Sequence, residues 1–496
     1  MSLDLQLVSV LDPTVQLDEF AIADDKDMNG EAQMGKREKY QGDFVPSVMI
    51  KGYQFNHREI LSMEIDESGF LPRLKVQLLD RTGSITSGFF PRAKPIISIY
   101  IRSRNDKLKV IRNDYLITSI RSTQSDNHTL ASDGAGATLS VVGVLYVPQL
   151  FVSEVVSVSK STSYLALFEL AKKYKLGFAT NEETTNDKMS WLSPFVKGIN
   201  FIKHITRHAY KNDDTFYMSF IDKYYHLTFV NAASMLSQTM EFTTMFANLA
   251  STADYMKDDT NVNEQTDNSG HDLALSNLLA IKGSDTYIQA YKVTTTQGSD
   301  LLERGYEKVL HYYDHMADGT DLKKKFISLF LQPYKGSVAP IDPTLRKTSD
   351  DEWLGVDYKN THPHYLFSEI INEHFTYEIA KTKLYVKTLG VNLNILRGQR
   401  IPVLIVKEGV DATTTYPSET TKQPDANGVP VDTESEKING MLIDRYLSGF
   451  YVVLNIKTIF DPTVQGKQTF YTEFELGKME WKEIDDLKIT PDNKGV

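Results

Sequence analysis

"PRAKPIISIYI" (91–101) followed by "NDYLITSIRST" (113–123) has a counterpart in the second half of the chain: "LRGQRIPVLIV" (396–406) followed by "SGFYVVLNIKT" (448–458). Each pair opens with a basic, turn-prone lead, runs into an alternating strand, crosses a loop and ends in a Tyr-containing strand. Alternation with a period of two is the mark of a half-buried β-strand. The same ordered pair met twice points to an internal duplication. The copies differ mainly in loop length. Tyr115-Leu116-Ile117 is expected to fall on Tyr451-Val452-Val453, and positions 96 and 98 on Val403 and Ile405.

Working outward from the first copy, "SVMIKGYQF", "ILSMEID", "LPRLKVQLLD" and "ATLSVVGVLYV" are further short β-rich runs. Turn residues such as Asp80, Gly83, Asn105 and Asp106 separate them. They predict a first β-barrel over 45–147. Around the second copy, "DTYIQAYKVTT", "EIAKTKLYVKTLGV" and "TFYTEFELGKMEW" predict a second, homologous barrel built from 280–298 and 376–482. Its run 408–439, rich in Thr, Pro, Asp, Gly and Glu, is expected to be a surface loop.

Between the two lies a helix-helix-hairpin module, 148–232. "STSYLALFELAKKYKLG" (161–177) carries the apolar stripe Leu165, Leu167, Phe168, Leu170 and Ala171, with Ser161 or Thr162 as cap and Gly177 as stop. A second helix is expected over 201–210, with Asn200 at its N-cap. "TFYMSFI" and "YYHLTFV" then form a hairpin joined at Asp222-Lys223. Phe201 and Ile205 are expected against its Phe216/Met218/Phe220 face, with Trp191 anchoring the entry. Residues 1–44 read as an N-terminal arm, 233–279 as a polar linker region, 299–375 as an inserted α/β region with a helix in "LLERGYEKVLHYYDHM" (301–316) and another near 366–375, and 483–496 as a C-terminal tail. The basic run "DLKKKF" (321–326) reads as a solvated helix face. The fold class is α+β, mainly β.

Composition bounds the function. The 496 residues carry a formal net charge of −11, no cysteine, 26 Tyr and 24 Phe. Without cysteine there is no disulfide, thiolate zinc site or Cys nucleophile. An acidic chain whose one basic run is short and bordered by acids is poorly suited to tight nucleic-acid binding, although it suits a passage in which a duplex must not stick. The N-terminus has neither the basic flank nor the apolar core of a signal peptide. The longest apolar tract, 139–156, is broken by Gly143, Pro148, Gln149 and Glu154, so no membrane anchor is read.

Two histidine clusters have spacings that metal sites use. His204 and His208 share a helix face, but Ile205 stands where a zinc-protease helix has its Glu base, and Asp213 and Asp214 read as turn residues. The second cluster is His362, His364, Glu369, Glu373 and His374. His-x-His can chelate, with a helical side chain completing the shell, yet a Pro-shaped lead into an amphipathic helix explains it equally. No phosphate-binding Gly loop and no Gly-x-Ser-x-Gly elbow is present. No catalytic, cofactor-binding or metal residue is assigned, and no cofactor is expected.

Several stretches in order, "YLALFELAKKYKLGFATNEETTNDKMSW" (164–191), "NFIKHITRHAYKNDDTFYMSFIDKYYHLTFVN" (200–231), "AKTKLYVKTLGVNLNILRGQRIPVLI" (380–405), "YLSGFYVVLNIKTIF" (446–460) and "FYTEFELGKMEW" (470–481), resemble the baseplate hub proteins of contractile-tailed, T-even-like phages. They are also similar to the hub portion of type VI secretion spike proteins. The resemblance implies a non-enzymatic homotrimer in the virion tail baseplate, assembled in the host cytoplasm. Two barrels per chain would make a six-barrel ring, adapting a six-fold tail tube to a three-fold central spike and forming part of the DNA ejection channel. Its partners would be the spike protein, tail-tube or tube-initiator proteins and baseplate wedge proteins, with DNA in transient passage. The arm, the acidic stretch 251–274 and the loop 408–439 depart from that pattern. The alternatives are a hub of another contractile injection system, a metal-dependent hydrolase using His362, His364 and His374, or a carbohydrate-binding adhesin suggested by aromatic content.

The loop reading carries its own test. Shortening 408–439 is expected to leave the cooperative unfolding transition in place, because loop closure costs little at this length. A chain unfolded at room temperature after that deletion would show these residues to be core.

Overall fold

The structure is a computed structural model that describes residues 6–9, 44–50, 52–55, 59–80, 85, 95–103, 111–124, 137–236, 246–247, 288–295, 307–314, 327–331, 348–356, 361–362, 364–393, 395–407, 437–438, 441–444, 446–461 and 469–478. Gly83, Asn105, Asp106, most of 408–439, the run 321–326 and residues 483–496 lie outside these.

Strand β1 (Gln6–Ser9) comes first. The β-rich first half follows as β2 (Phe44–Ile50), β3 (Tyr53–Phe55), β4 (Ile60–Asp66), β5 (Arg73–Asp80), β6 (Ile96–Ser103), β7 (Ile111–Gln124) and β8 (Ala137–Leu145). After a 3-10 turn at Pro148–Phe151 come β9 (Ser153–Ser161), α1 (Ser163–Lys173), β10 (Gly177–Thr180), β11 (Met189–Lys197), α2 (Gly198–Arg207), β12 (Tyr217–Ile221), β13 (His226–Asn231) and α3 (Ala232–Leu236). The rest is β14 (Phe246–Ala247), β15 (Ile288–Thr295), β16 (Glu307–Asp314), β17 (Ile327–Leu331), β18 (Thr348–Val356), α4 (Tyr365–Lys381), β19 (Thr382–Leu389), β20 (Arg400–Leu404), β21 (Val406–Lys407), β22 (Lys437–Ile438), β23 (Met441–Ile443), β24 (Gly449–Asp461) and β25 (Thr469–Gly477). The chain is mainly β, as expected.

The strands of the two halves belong to one antiparallel-dominated 13-stranded sheet, whose path runs β15-β19-β25-β24-β4-β5-β8-β7-β6-β2-β3, with β20 on β24 and β14 on β20. The expected pair of separate closed barrels is therefore corrected. Among the described residues no ladder closes either half on itself. The outer edge of β4, which would close the first half, is instead held by β24, with Lys457 opposite Asp66 and Phe460 opposite Met63. Period-two burial is clear along the sheet. In β8 every second residue from Ala137 to Leu145 is buried, which fixes the core face because a one-residue slip would invert every side chain.

Within that sheet one path occurs twice. In the first half β6 pairs β7, β7 pairs β8, β8 pairs β5 and β5 pairs β4. In the second, β20 pairs β24, β24 pairs β25, β25 pairs β19 and β19 pairs β15. Taken in chain order, these are the same five strands in the same neighbour relations. Registers agree as well. Ile97 lies opposite Tyr115 and Ile401 opposite Tyr451, and both tyrosines are fully buried. The ladder of β7 with β8 shifts between Ile117 and Ser119, and that of β24 with β25 between Val453 and Asn455. The ladder of β4 with β5 shifts between Ile60 and Ser62, and that of β15 with β19 between Ile288 and Ala290. These registers place Ile97 on Ile401, so positions 96 and 98 do not fall on Val403 and Ile405.

The middle region holds more strand than a helix-helix-hairpin. β10 sits between β1 and β13 in a four-stranded sheet completed by β12, and β9 pairs β11 separately. The arm thus contributes one strand through Gln6–Ser9. α1 starts as expected, Thr162 accepting from Leu165 N. Leu167, Leu170 and Ala171 are buried but Leu165 is about half exposed. Gly177 is not the stop: Tyr174 is the C-cap, Lys175 adopts φ 54°, and Gly177 already lies in β10. α2 begins at Gly198 with Lys197 as N-cap, so Asn200 is inside it. The 301–316 helix is corrected as well, since 307–314 is strand β16, flanked by β17 and β18. α4 runs on to Lys381, absorbing the start of an expected strand.

The hairpin packs with its faces exchanged relative to expectation. Phe201 and Ile205 of α2 share a core with Tyr217 and Ile221. Phe216 and Phe220 point the other way, into a core with Ile371, Ile379 and Val452. α2 takes the nearer face because Thr206 Oγ1 also reaches Ser219 Oγ at 2.7 Å. Trp191 is fully buried and donates to Ser161 O at 3.0 Å.

Gly398, between β19 and β20, tests the contact between this hairpin and the second half. It adopts φ +81°, and a Cβ there would lie 2.7 Å from Val230 Cγ2 and 2.9 Å from Phe220 Cζ. Gly398→Ala is expected to destabilise by about 2 kcal/mol or more, from left-handed strain plus overpacking. The urea midpoint measures it, and an unchanged midpoint would contradict this packing.

Candidate functional site

Two places gather the polar side chains that matter. The first joins both histidine clusters read from the sequence. α4 packs across α2 and β12, which brings His204 and His208 against the segment beginning at His362. The His208 ring stacks on Tyr365 with centroids 3.7 Å apart and planes 8° apart, and the His204 ring meets His208 edge-on at 4.7 Å.

One nitrogen of each of three rings is already engaged, while His362 Nδ1 is buried with no hydrogen-bond partner. His208 Nδ1 donates to Tyr365 O at 3.0 Å, and His362 Nε2 donates to His208 O at 3.0 Å. The Tyr365 hydroxyl lies 3.3 Å from His204 Nε2, and His364 stacks on Tyr210 at 4.1 Å. Glu369 faces Arg207 at 3.4 Å and His208 Nε2 at 3.9 Å. Glu373 is exposed, and the side chain of His374 lies outside the described residues. Among the described residues no group of three or more His, Asp or Glu is arranged to hold a metal ion. Chemically this is a stacked, hydrogen-bonded clamp between two helices.

Asn372, which sequence reading passed over, completes the clamp. Its Oδ1 accepts from Tyr217 N at 2.7 Å, and its Nδ2 donates to Arg207 O and Ala209 O at 2.9 Å each. It thereby satisfies carbonyls left open at the C-terminus of α2 and an edge amide of β12. No local pattern announces such a role, because Asn372 sits in mid-helix and its partners are far away in sequence.

The second place is the seam between the halves, where the hairpin turn Asp222–Tyr225 is wedged. Asp222 Oδ1 accepts from Tyr224 N and His226 N, and Tyr225 takes φ 61°. From this turn four contacts reach out. Asn113 Nδ2 donates to Lys223 O at 2.7 Å and Asp114 N donates to the Tyr225 hydroxyl at 2.9 Å. On the other side Lys223 Nζ donates to Asn392 O at 3.1 Å and the Tyr224 hydroxyl to Leu393 O at 2.8 Å. One turn thus holds β7 of the first half and the loop after β19 of the second.

Charge is buried here. Lys223 Nζ lies 3.7 Å from Glu67 Oε1, both side chains 1% exposed. Burial pushes the Glu67 carboxyl above its ordinary range, against the pull of Lys223 and Arg397. Arg397 bridges the halves directly: Nε donates to Leu454 O, Nη1 to Glu67 O and Gly69 O, and Nη2 to Ser68 O. Its guanidinium also lies 4.2 Å over the Phe220 ring. The sequence marked Lys223 only as part of a hairpin joint and gave no signal for Glu67 or Arg397.

The clamp predicts a pH dependence. Burial and the neighbouring His204 push His208 down to about 3 from 6.5. Between those values the unfolded chain binds the proton and the folded chain does not, so stability is complete above pH 6.5 and falls as pH drops, by up to roughly 1.4 kcal/mol per unit. His208→Gln is expected to flatten that fall between pH 6.5 and 4, read from urea midpoints. His204→Gln/His208→Gln should leave metal content and assembly unchanged. A variant as acid-sensitive as the native chain, or one that loses bound metal, would contradict the clamp.

No family model and no curated protein matches the chain. Among solved structures it is similar to a tail protein from Neisseria meningitidis MC58, at 12% identity and TM-score 0.45, covering 88% of this chain and 96% of that one. It is likewise similar to the 43 kDa tail protein of prophage MuSo2 from Shewanella oneidensis, at 7% identity and TM-score 0.46, covering 88% and 98%. A third similarity is to a chain in the half-lidded Francisella PdpA-VgrG complex, at 8% identity and TM-score 0.38, covering 94% of this chain and 63% of that one.

Proposed function

We propose that this chain is the structural hub of a contractile-tail baseplate, a homotrimer that adapts a six-fold tube to a three-fold spike. The observation that carries the reading is the repeated ladder: five strands with the same neighbours, and ladder shifts at matching positions in β7/β24 and β4/β15. A chain bearing two copies of one β module supplies six near-equivalent units when three chains close around an axis, which is what a three-to-six adapter requires. On this reading 45–147 is one copy and 280–298 with 376–482 the other. The region 148–232 braces them, 299–375 is an insertion, and 1–44, 233–279 and 483–496 serve peripheral contacts.

The work is mechanical. The buried seam at Lys223, Glu67 and Arg397 supports it, since a ring that transmits load from tube to spike needs its two modules held at a fixed angle. The spike protein, tube or tube-initiator proteins and baseplate wedge proteins are the partners, in the virion tail, with DNA passing through without specific binding. The net charge of −11 suits a lumen that is neutral to acidic, where a duplex is repelled.

Mass measurement in solution together with a low-resolution map tests this. Three chains and six similar lobes about one axis are expected, with no continuous ring of Lys and Arg lining the lumen. A chain that stays monomeric at high concentration and is single-copy in its particle would overturn the hub reading.

A further inference from the structure

The two tyrosines that mark the duplication differ at one atom. Tyr451 donates its hydroxyl to Leu447 O at 2.6 Å, four residues back along the chain. Tyr115 holds the corresponding place in the first copy, opposite Ile97 as Tyr451 is opposite Ile401. Its hydroxyl, however, is buried without a hydrogen-bond partner among the described residues. The module can serve that hydroxyl with a nearby carbonyl, as the second copy shows, so in the first copy it is aimed elsewhere.

Two further orphaned atoms belong to the same neighbourhood. Asn113 lies two residues back on β7 and so on the same face of the strand. Its Nδ2 donates to Lys223 O at 2.7 Å, while its Oδ1 has no partner. Glu67 Oε1 has none either. The Lys223 backbone amide serves that carboxylate, but Lys223 Nζ stands 3.7 Å from Oε1, beyond the range of a direct hydrogen bond. An ammonium has three donors, and the one bond Lys223 Nζ makes goes to Asn392 O. Glu67 and Tyr225 in turn act on the Tyr115 hydroxyl, which burial pushes well above its ordinary range.

We propose that these four groups hold one internal water molecule, which accepts from Tyr115 Oη and Lys223 Nζ and donates to Glu67 Oε1 and Asn113 Oδ1. Two donors and two acceptors are the set that a fully bonded water satisfies. The Lys223 ammonium repels a metal cation from this place and the Glu67 carboxylate repels an anion, which leaves a small neutral molecule. Where two polar groups stand more than about 3.5 Å apart, a water can join them at nearly the worth of a direct bond. The water ties β7 and the turn after β4 to the hairpin turn, and the buried ion pair at the seam is a hydrated one. The site is independent of the hub reading.

High-resolution diffraction from the native chain tests the site directly. One density peak is expected about 2.8 Å from both Lys223 Nζ and Glu67 Oε1, within hydrogen-bond range of the Tyr115 hydroxyl and Asn113 Oδ1. Soaking in rubidium, whose anomalous signal marks a cation, should leave the peak silent. A Lys223–Glu67 pair in direct contact with no peak beside it, a peak out of reach of Tyr115 or Asn113, or a rubidium signal overturns the proposal. Urea unfolding gives a second readout. Tyr451→Phe removes a hydroxyl that has a protein partner and is expected to shift the unfolding equilibrium about fivefold, the worth of one hydrogen bond. Tyr115→Phe is expected to cost as much, because its hydroxyl bonds the water. A Tyr115→Phe chain at least as stable as the native one marks that hydroxyl as unbonded and overturns the site.

Discussion

The structure depends on a buried charge held by a turn. Lys223 and Glu67 lie together at 1% exposure each, in surroundings where an unpaired charge costs several kcal/mol. Each therefore holds the other in place, although Glu67 Oε1 has no protein hydrogen-bond partner. Lys223 also donates to Asn392 O while Asn113 donates to Lys223 O, so the same residue touches both halves. The ion pair is a weak source of net stability.

Around that point the sheet repeats. The shifts in the β7/β8 and β24/β25 ladders put an extra residue in the same place of each unit, bending the long strand so that its first part meets β6 or β20 and its last part is free to meet another unit. In the second half that last part lies on β4. Arg397 fastens that joint by donating to the carbonyls of residues 67–69 and of Leu454 at once.

The histidines show how a motif's meaning is set by its surroundings. At four-residue spacing His204 and His208 have the geometry of a zinc helix. In the fold they stand beside Tyr365, with His208 held by a carbonyl and a stacked ring. Both clusters noted in the sequence meet here, and what they build is an attachment of α4 to α2. Desolvation holds the His208 imidazole neutral well below the pH at which a free one takes a proton.

The strands around Tyr115 and Tyr451, their duplication, the Thr162 cap and the hairpin at Asp222 were legible from the residues alone, because period-two burial, capping and turn chemistry act within a few residues. Which face of β12 meets α2 was settled by packing. Both faces of that strand are apolar, Phe216 and Phe220 on one and Tyr217 and Ile221 on the other, so alternation alone offers no choice and the packing partner makes it. The same holds for 307–314, where a pattern with Leu, Glu and Lys suits a helix until strands on both sides supply its hydrogen bonds. Asn372, Glu67, Arg397 and the ion pair made by Lys223 were silent in the sequence for one reason. A polar residue reveals its role only through the buried groups it satisfies, and those arrive from distant segments once the chain has folded.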